Sequence, residues 1–333
     1  MHMSIPDDQR RGSLRGPARS QTLWQRFWKF LRSRDARGYF YIAPWVIGYV
    51  LFNIYPLLRT IYLSFTDYNL FLDPKWIGLK NYQQIFFHDT IFRTVLTNML
   101  FYVTISTVMT IVLGLLFAVL LARNFPGNYL FRTIFYVPSL MVGISIATLF
   151  GQVFRSGEVG LANSMLGWVH LAPFNWLHSN TSPLLALVAV LLVDFWFIGG
   201  NMLIFLSGIR GINPEFYEAA RIDSANAWQR FIHVTLPLLS PVIVFNVITN
   251  LIWHLQAFEI PLVFASNAGS LSTGQTLGDN NRLATFLTYI YTKSFIFGQF
   301  GYGAALSVIV FAITLVLTLI VLWIASRYTV YGD

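Results

Sequence analysis

Six long apolar stretches divide this chain. They lie at roughly 40–65, 95–122, 131–151, 184–208, 236–257 and 302–326. Each is apolar on all sides and reaches or approaches the ~20 residues that a helix needs to cross a hydrocarbon core. Pro44 and Pro56 interrupt the first stretch, Pro237 and Pro241 open the fifth, and Gly143 and Gly151 dilute the third. Such breaks are tolerated in membrane helices where neighbouring helices or water satisfy the freed backbone groups. No internal repeat is visible, so the inverted halves of many secondary transporters are not expected. The pattern predicts an all-α, polytopic membrane protein with six transmembrane helices, built as a tail of residues 1–38 and a six-span domain of 39–333.

Two polar segments stand outside the spans. Within the tail, Leu23, Trp24, Phe27, Phe30 and Leu31 recur near helical spacing, with Arg26, Lys29, Arg32 and Arg34 largely between them. This predicts a helix at 21–34 lying in the membrane interface, aromatic face down, with an ordinary solvated helix as the plainer reading. The tail holds no apolar run of signal-peptide length. The second segment, 211–241, reads as two helices joined by a bend. Asn213 can cap the first, with Pro214 at its first position and Glu215 in its first turn. A turn is expected at Asp223–Ser224, either residue capping a second helix through Trp228 and Phe231.

Composition sharpens the membrane reading. The 333 residues are 56% hydrophobic, 17% aromatic and only 11% charged, where a soluble domain carries about a quarter charged residues. That argues against a soluble enzyme and a disordered regulator. The absence of cysteine removes disulfides, thiolate metal sites and cysteine nucleophiles. A net charge of +8 could point to nucleic acid, but in a membrane protein it reflects basic residues kept on the cytoplasmic side. With the N-terminus inside, fifteen Arg and Lys fall inside and seven outside, and six spans return the C-terminus to the cytoplasm. The tail supplies nine of the fifteen, so it decides the orientation.

The segment EAARIDSANAWQRFIHVTLPLLSP (218–241) resembles the EAA loop of binding-protein-dependent ABC importer permeases, of the maltose and glycerol-3-phosphate type. Glu218, Ala219, Ala220, Asp223, Ala225, Phe231, Leu236 and Pro237 match that family's pattern, and Ser224 stands where the family has glycine. A positive φ at Ser224 would be strained. YPLLRTIYLSFTDYN (55–69), WIGLKNY (76–82), LFRTIFYVPSL (130–140) and TYIYTKSF (288–295) extend the likeness over about 39–323. The resemblance implies a bacterial inner-membrane subunit forming half of a pore for a sugar, oligosaccharide or related solute. It implies a second homologous permease, two ATP-binding subunits carrying ATP and magnesium, and an extracytoplasmic solute-binding protein. The coupling residues it implies are Glu218, Ala219, Ala220, Asp223, Ser224, Ala225 and Phe231, working by alternating access. None of the four lysines follows a glycine, so the chain has no GxxxxGK[ST] phosphate loop, no cofactor is expected in it, and it is not expected to be an enzyme.

Polar groups inside the spans mark a candidate path. Asp194 is the one acid within a predicted span, and an intramembrane carboxylate reads either as a pathway group or as a paired structural one. Trp196 and Asn201 flank Gly199–Gly200, where small residues allow close packing or leave room for a ligand. On the fifth span Asn250, Trp253, His254 and Ala257 recur at spacings of three and four, with Gln256 beside them. Amide, imidazole and indole groups suit a polyhydroxylated ligand, and equally suit interhelical hydrogen bonds. His254 has no second histidine or carboxylate three or four residues on, so no metal site is expected. An ATP-independent carrier or channel, a membrane enzyme, and a permease for a non-carbohydrate solute remain as rivals.

Overall fold

The computed structural model describes residues 34–123, 125–157, 159–177, 185–267 and 277–329. The expected interfacial helix at 21–34 lies outside these residues but for its last one. The chain divides into two compact units, 1–59 and 60–333. Helices dominate, and among the described residues the only strands are Thr66–Asp67 and Lys75–Trp76, a short antiparallel pair with Thr66 opposite Trp76. Four helices are long and apolar enough to cross a membrane: Tyr41–Ser64, Thr90–Ala122, Ser240–Ser266 and Phe300–Arg327. Two bent pairs make six if each is one span.

In the first unit the helix Arg34–Tyr49 runs on through a π-helical turn at Val50–Ile54, in which Tyr55 donates its N–H to the Val50 carbonyl five residues back. Pro56 follows immediately. A proline has no N–H and its ring collides with the carbonyl four residues earlier, so a widened turn just ahead of it relieves the clash. The same device recurs in the second unit. The π-turn Phe231–Thr235 precedes Pro237, with Leu236 donating to Phe231.

The second unit is built round the helix Thr90–Ala122, which packs against Ile198–Gly211 and Ser240–Leu255. One stripe of it is buried, including Val95, Met99, Tyr102, Ser106, Thr110 and Ala118. The opposite stripe, Leu96, Leu100, Val108, Val112, Leu116 and Leu120, is open. Both stripes are mainly apolar, as expected where lipid or another apolar chain replaces water. This helix starts at Thr90 rather than 95 because the Asp89 side chain accepts the Phe92 N–H at 3.0 Å, an N-cap.

Three expected spans are less regular than their hydropathy. The 131–151 stretch is two helices, Asn128–Leu140 and Gly143–Val153, bent by 98°. Pro138 lies in a 3-10 turn at Val137–Leu140, and Met141 and Val142 are extended. The 184–208 stretch bends by 46° between Ala186–Trp196 and Ile198–Gly211. In the fifth, Ser240–Leu255 gives way to a break at 256–258 and then to Glu259–Asn267. These breaks surround one cavity.

Candidate functional site

Gly199 and Gly200 show how the cavity is made. A Cβ on Gly199 would lie 2.0 Å from the Phe135 carbonyl oxygen, so only glycine lets the fourth span approach the third this closely. Gly200 meets nothing within 4 Å and faces open space. The sequence allowed either close packing or room for a ligand, and the two neighbours divide those roles. The space is a cavity of about 750 Å³. It is lined from the second span by Tyr102 and Thr110, from the third by Tyr136, Ser139 and Gly143, and from the fourth by Asp194, Gly200 and Asn201. Asn250, Trp253, His254, Gln256, Ala257 and Glu259 close it from the fifth.

Seven of the eight path residues read from the sequence therefore meet here. Trp196 does not. It turns aside to an edge contact with Phe150, ring centroids 5.4 Å apart, and is absent from the lining. Asp194 is buried on the last turn before the fourth span's break and accepts from Ser106 Oγ at 2.7 Å and from the Tyr102 hydroxyl. His254 is also buried, its ring edge-on to Tyr102. Its Nδ1 stands 3.8 Å from Asp194 Oδ2, beyond hydrogen-bond reach, and both ring nitrogens lack a hydrogen-bond partner. Asn250 Nδ2 donates to Asn201 Oδ1 at 2.7 Å and to the Asn246 carbonyl at 2.8 Å, tying the fourth span to the fifth. Trp253 is 74% exposed, and Gln256 is exposed beside it. The Ala257 carbonyl accepts from Thr285 Oγ1 at 2.7 Å.

Sequence reading missed Tyr102, Ser106, Thr110 and Glu259. The first three follow each other at intervals of four and form a polar stripe on an otherwise apolar helix, a signal that was there to read. Glu259 lies just past the predicted end of the fifth span. Its carboxylate takes the space beside Gly143, where a Cβ would stand 2.0 Å from Oε2. Among the described residues no cluster of His, Asp and Glu could hold a metal ion.

The 211–235 segment forms a second polar constellation. Asn213 accepts the Glu215 N–H at 3.1 Å and caps Pro214–Ile222, as expected. The helix ends in a Schellman arrangement: Ala225 donates to the Ala220 carbonyl at 2.9 Å and Ser224 to Arg221 at 3.0 Å. Ser224 takes φ +60°, the left-handed conformation that favours glycine. The second helix is capped by Asn226, through a capping box with Gln229, and not by Asp223 or Ser224. With its backbone left-handed, Ser224 serves to end the first helix instead. Tyr217 and Thr235 join the two arms by a 3.0 Å hydroxyl contact. Glu218, Ala219, Asp223 and Ser224 are exposed, Ala220 and Ala225 partly covered, and Phe231 stacks on Trp228 at 5.6 Å. Ile222 and Trp228 are large apolar residues left open on this polar surface.

The profile of the family described as "binding-protein-dependent transport system inner membrane component" matches residues 110–330, a stretch that holds the 211–235 segment and the cavity wall from Thr110 onward. The chain belongs to that family. It is a transport subunit of the inner membrane. It is 32% identical to the probable ABC transporter permease protein YesP of Bacillus subtilis (strain 168), covering 90% of this chain and 94% of that protein. It is 30% identical to the arabinooligosaccharides transport system permease protein AraP of the same organism, covering 89% and 90%. It is also 30% identical to the lactose transport system permease protein LacF of Rhizobium radiobacter, covering 89% and 96%. The fold is shared with a chain in the crystal structure of a bacterial ABC transporter that imports the acidic polysaccharide alginate. That match has a TM-score of 0.73 at 22% identity, covering 92% of this chain and all of that one.

Proposed function

We propose that this inner membrane component supplies half of the translocation path for a sugar or oligosaccharide. The cavity walled by Asp194, Asn201, Asn250, Trp253, His254, Gln256 and Ala257 is the path. The observation that carries this reading is the mixed character of that wall: amide and imidazole hydrogen-bonding groups beside the open face of Trp253, the combination a polyhydroxylated ring needs. The names of the relatives, arabinooligosaccharide and lactose permeases among them, support the same solute class. Trp253 and Gln256 are open in the single chain, and a second, homologous permease closes the path on the side opposite them.

The segment 211–235 is the coupling surface. Ile222 and Trp228 offer apolar contact and Glu218 a charge, to be gripped by one of two cytoplasmic subunits that bind ATP and magnesium. ATP drives the change only if it binds the outward-facing state better than the inward-facing one. An extracytoplasmic solute-binding protein delivers the solute. The termini face the cytoplasm in this reading, which the basic excess of the tail and an even span count support. The test is uptake of labelled lactose, maltotriose and arabinotriose into proteoliposomes holding the complex and its binding protein. Uptake of at least one sugar that needs enclosed ATP is expected. Uptake that proceeds equally without ATP overturns the reading in favour of an ATP-independent carrier.

A further inference from the structure

The cavity has an electrostatic sign. Among its described lining residues there is no lysine and no arginine, whereas two carboxylates, Asp194 and Glu259, face it from different spans. Asp194 is fixed from behind by the Ser106 hydroxyl and has no cation in contact but the neighbouring His254 ring. A protonated His254 would offset Asp194 at 3.8 Å and leave Glu259 as the net charge. A neutral His254 leaves no positive charge among the described residues that face Asp194 and Glu259 across the cavity.

His254 supplies the second, independent observation. It is 97% buried, it lines the cavity, and neither ring nitrogen has a hydrogen-bond partner. A buried polar group left in this state calls for a partner, and the residue borders the cavity. The neutral ring offers one donor and one acceptor, which match a hydroxyl and not an anion. The free amide of Gln256 and the face of Trp253 likewise ask for no negative charge. No lysine or arginine among the described residues of this wall compensates a uronate, sulfonate or phosphate ester, and an unpaired anion is costly to carry from water into a membrane cavity.

We infer that this wall selects uncharged or amino-bearing saccharides and rejects anionic ones. The inference rests on the reading of the cavity as the solute path and adds the charge class of the solute. A chain of the same fold belongs to a transporter involved in the import of an acidic polysaccharide, so the fold does not dictate the sign; the side chains do.

The absence of cysteine from the chain gives a direct test that needs no knowledge of the solute. A single cysteine placed at Gln256 is treated with two methanethiosulfonate reagents of similar size, one carrying trimethylammonium and one carrying sulfonate. The full chain is held with its partner subunits in nanodiscs. Modification of this chain is followed by mass spectrometry, and each rate is normalised to that of 2-mercaptoethanol. The cationic reagent is expected to react roughly tenfold faster. Glu259→Gln, at an exposed carboxylate, should cut that preference by about threefold, and Asp194→Asn gives a second reading. A ratio near or below one overturns the inference. So does a cysteine that reacts with neither reagent, since the cavity is then closed to water. A ratio unmoved by both substitutions overturns it too, because the charge then comes from another chain. Labelling requires no transport, so a complex that fails to import sugar would fail the uptake assay alone.

Discussion

Ser224 holds a backbone conformation that its own Cβ resists. Its φ of +60° closes the Schellman turn, and a non-glycine residue pays roughly 1 kcal/mol for it. Ser224→Gly is therefore expected to raise the thermal midpoint of the complex and to slow hydrogen exchange at the Ala225 amide. The strain was conditional in the sequence: the family pattern marked the position, and only the backbone could decide the sign of φ. Asp89 is the opposite case. Its carboxylate caps the second span, accepts from the Tyr289 and Tyr302 hydroxyls, and lies near Lys293, whose ammonium stands 5.0 Å from the Tyr302 ring centre. No local pattern announces a cluster whose members lie two hundred residues apart. Burial pushes the Asp89 carboxyl up, but those hydroxyls, the Phe92 amide and the Lys293 charge together hold it below the usual carboxylate range. A depressed carboxylate contributes stability that is full above its unfolded value, about 3.9, and is lost as pH falls through the lower folded value. Asp89→Asn should lower stability near neutral pH by about 1–2 kcal/mol, discounted for partial exposure. Its midpoint should then fall less than the wild type's between pH 5 and pH 3.

At the scale of elements, hydropathy marked the apolar blocks now occupied by four long helices and two bent pairs, and none of the bends. The six apolar blocks are legible because lipid demands length and apolarity, and little else. The 98° break at 141–142 is not, because Pro138 and Gly143 are both tolerated in straight membrane helices. The group that fills the space beside Gly143 comes from a distant residue, the Glu259 carboxylate, which no local pattern announces. The paired glycines of the fourth span give the sharpest contrast. Gly199→Ala drives a Cβ onto the Phe135 carbonyl, a backbone atom that no rotamer change can move, and should destabilise the complex by about 1–3 kcal/mol. Gly200→Ala adds its methyl to empty space and gains helix propensity, so stability should hold or rise. That methyl narrows the cavity, so apparent solute affinity should fall in Gly200→Ala alone. Thermal unfolding and uptake on the two variants separate packing from path. A loss of stability in both would mean that Gly200 is also a contact.

At the scale of the whole molecule, the two polar constellations are separate in sequence and chemistry, and they should fail in different ways. The two-helix form of the 211–235 segment was legible from the sequence because its residues are contiguous and its first cap is local, whereas the second cap proved to be Asn226. The cavity was legible only in part. The fifth-span residues share one helix face, and the Tyr102–Ser106–Thr110 stripe shares another, but only folding brings the two faces and Glu259 to one cavity. Trp253 and Glu218 make the cleanest pair of probes, since both are exposed and neither is part of the packed core. Asn250 is less clean: replacing it leaves Asn201 Oδ1 without its donor, so lost binding and lost structure would be mixed. Trp253→Ala removes an aromatic face and an indole donor from the path. The expected loss is about 1–2 kcal/mol of solute interaction, from ring contact and one hydrogen bond. In uptake assays that is a rise of roughly five- to thirtyfold in the half-saturating solute concentration. ATP hydrolysis without solute should be unchanged, because the 211–235 segment is untouched. Glu218→Lys should do the reverse. It inverts a charge on the surface proposed to meet an ATP-binding subunit, so assembly or solute-stimulated ATP hydrolysis should fall while the half-saturating concentration of residual uptake stays put. The double variant should show both defects additively, as sites with no shared partners do. If Trp253→Ala instead abolished ATP hydrolysis while leaving solute affinity intact, the indole would belong to the interface with the second permease rather than to the path.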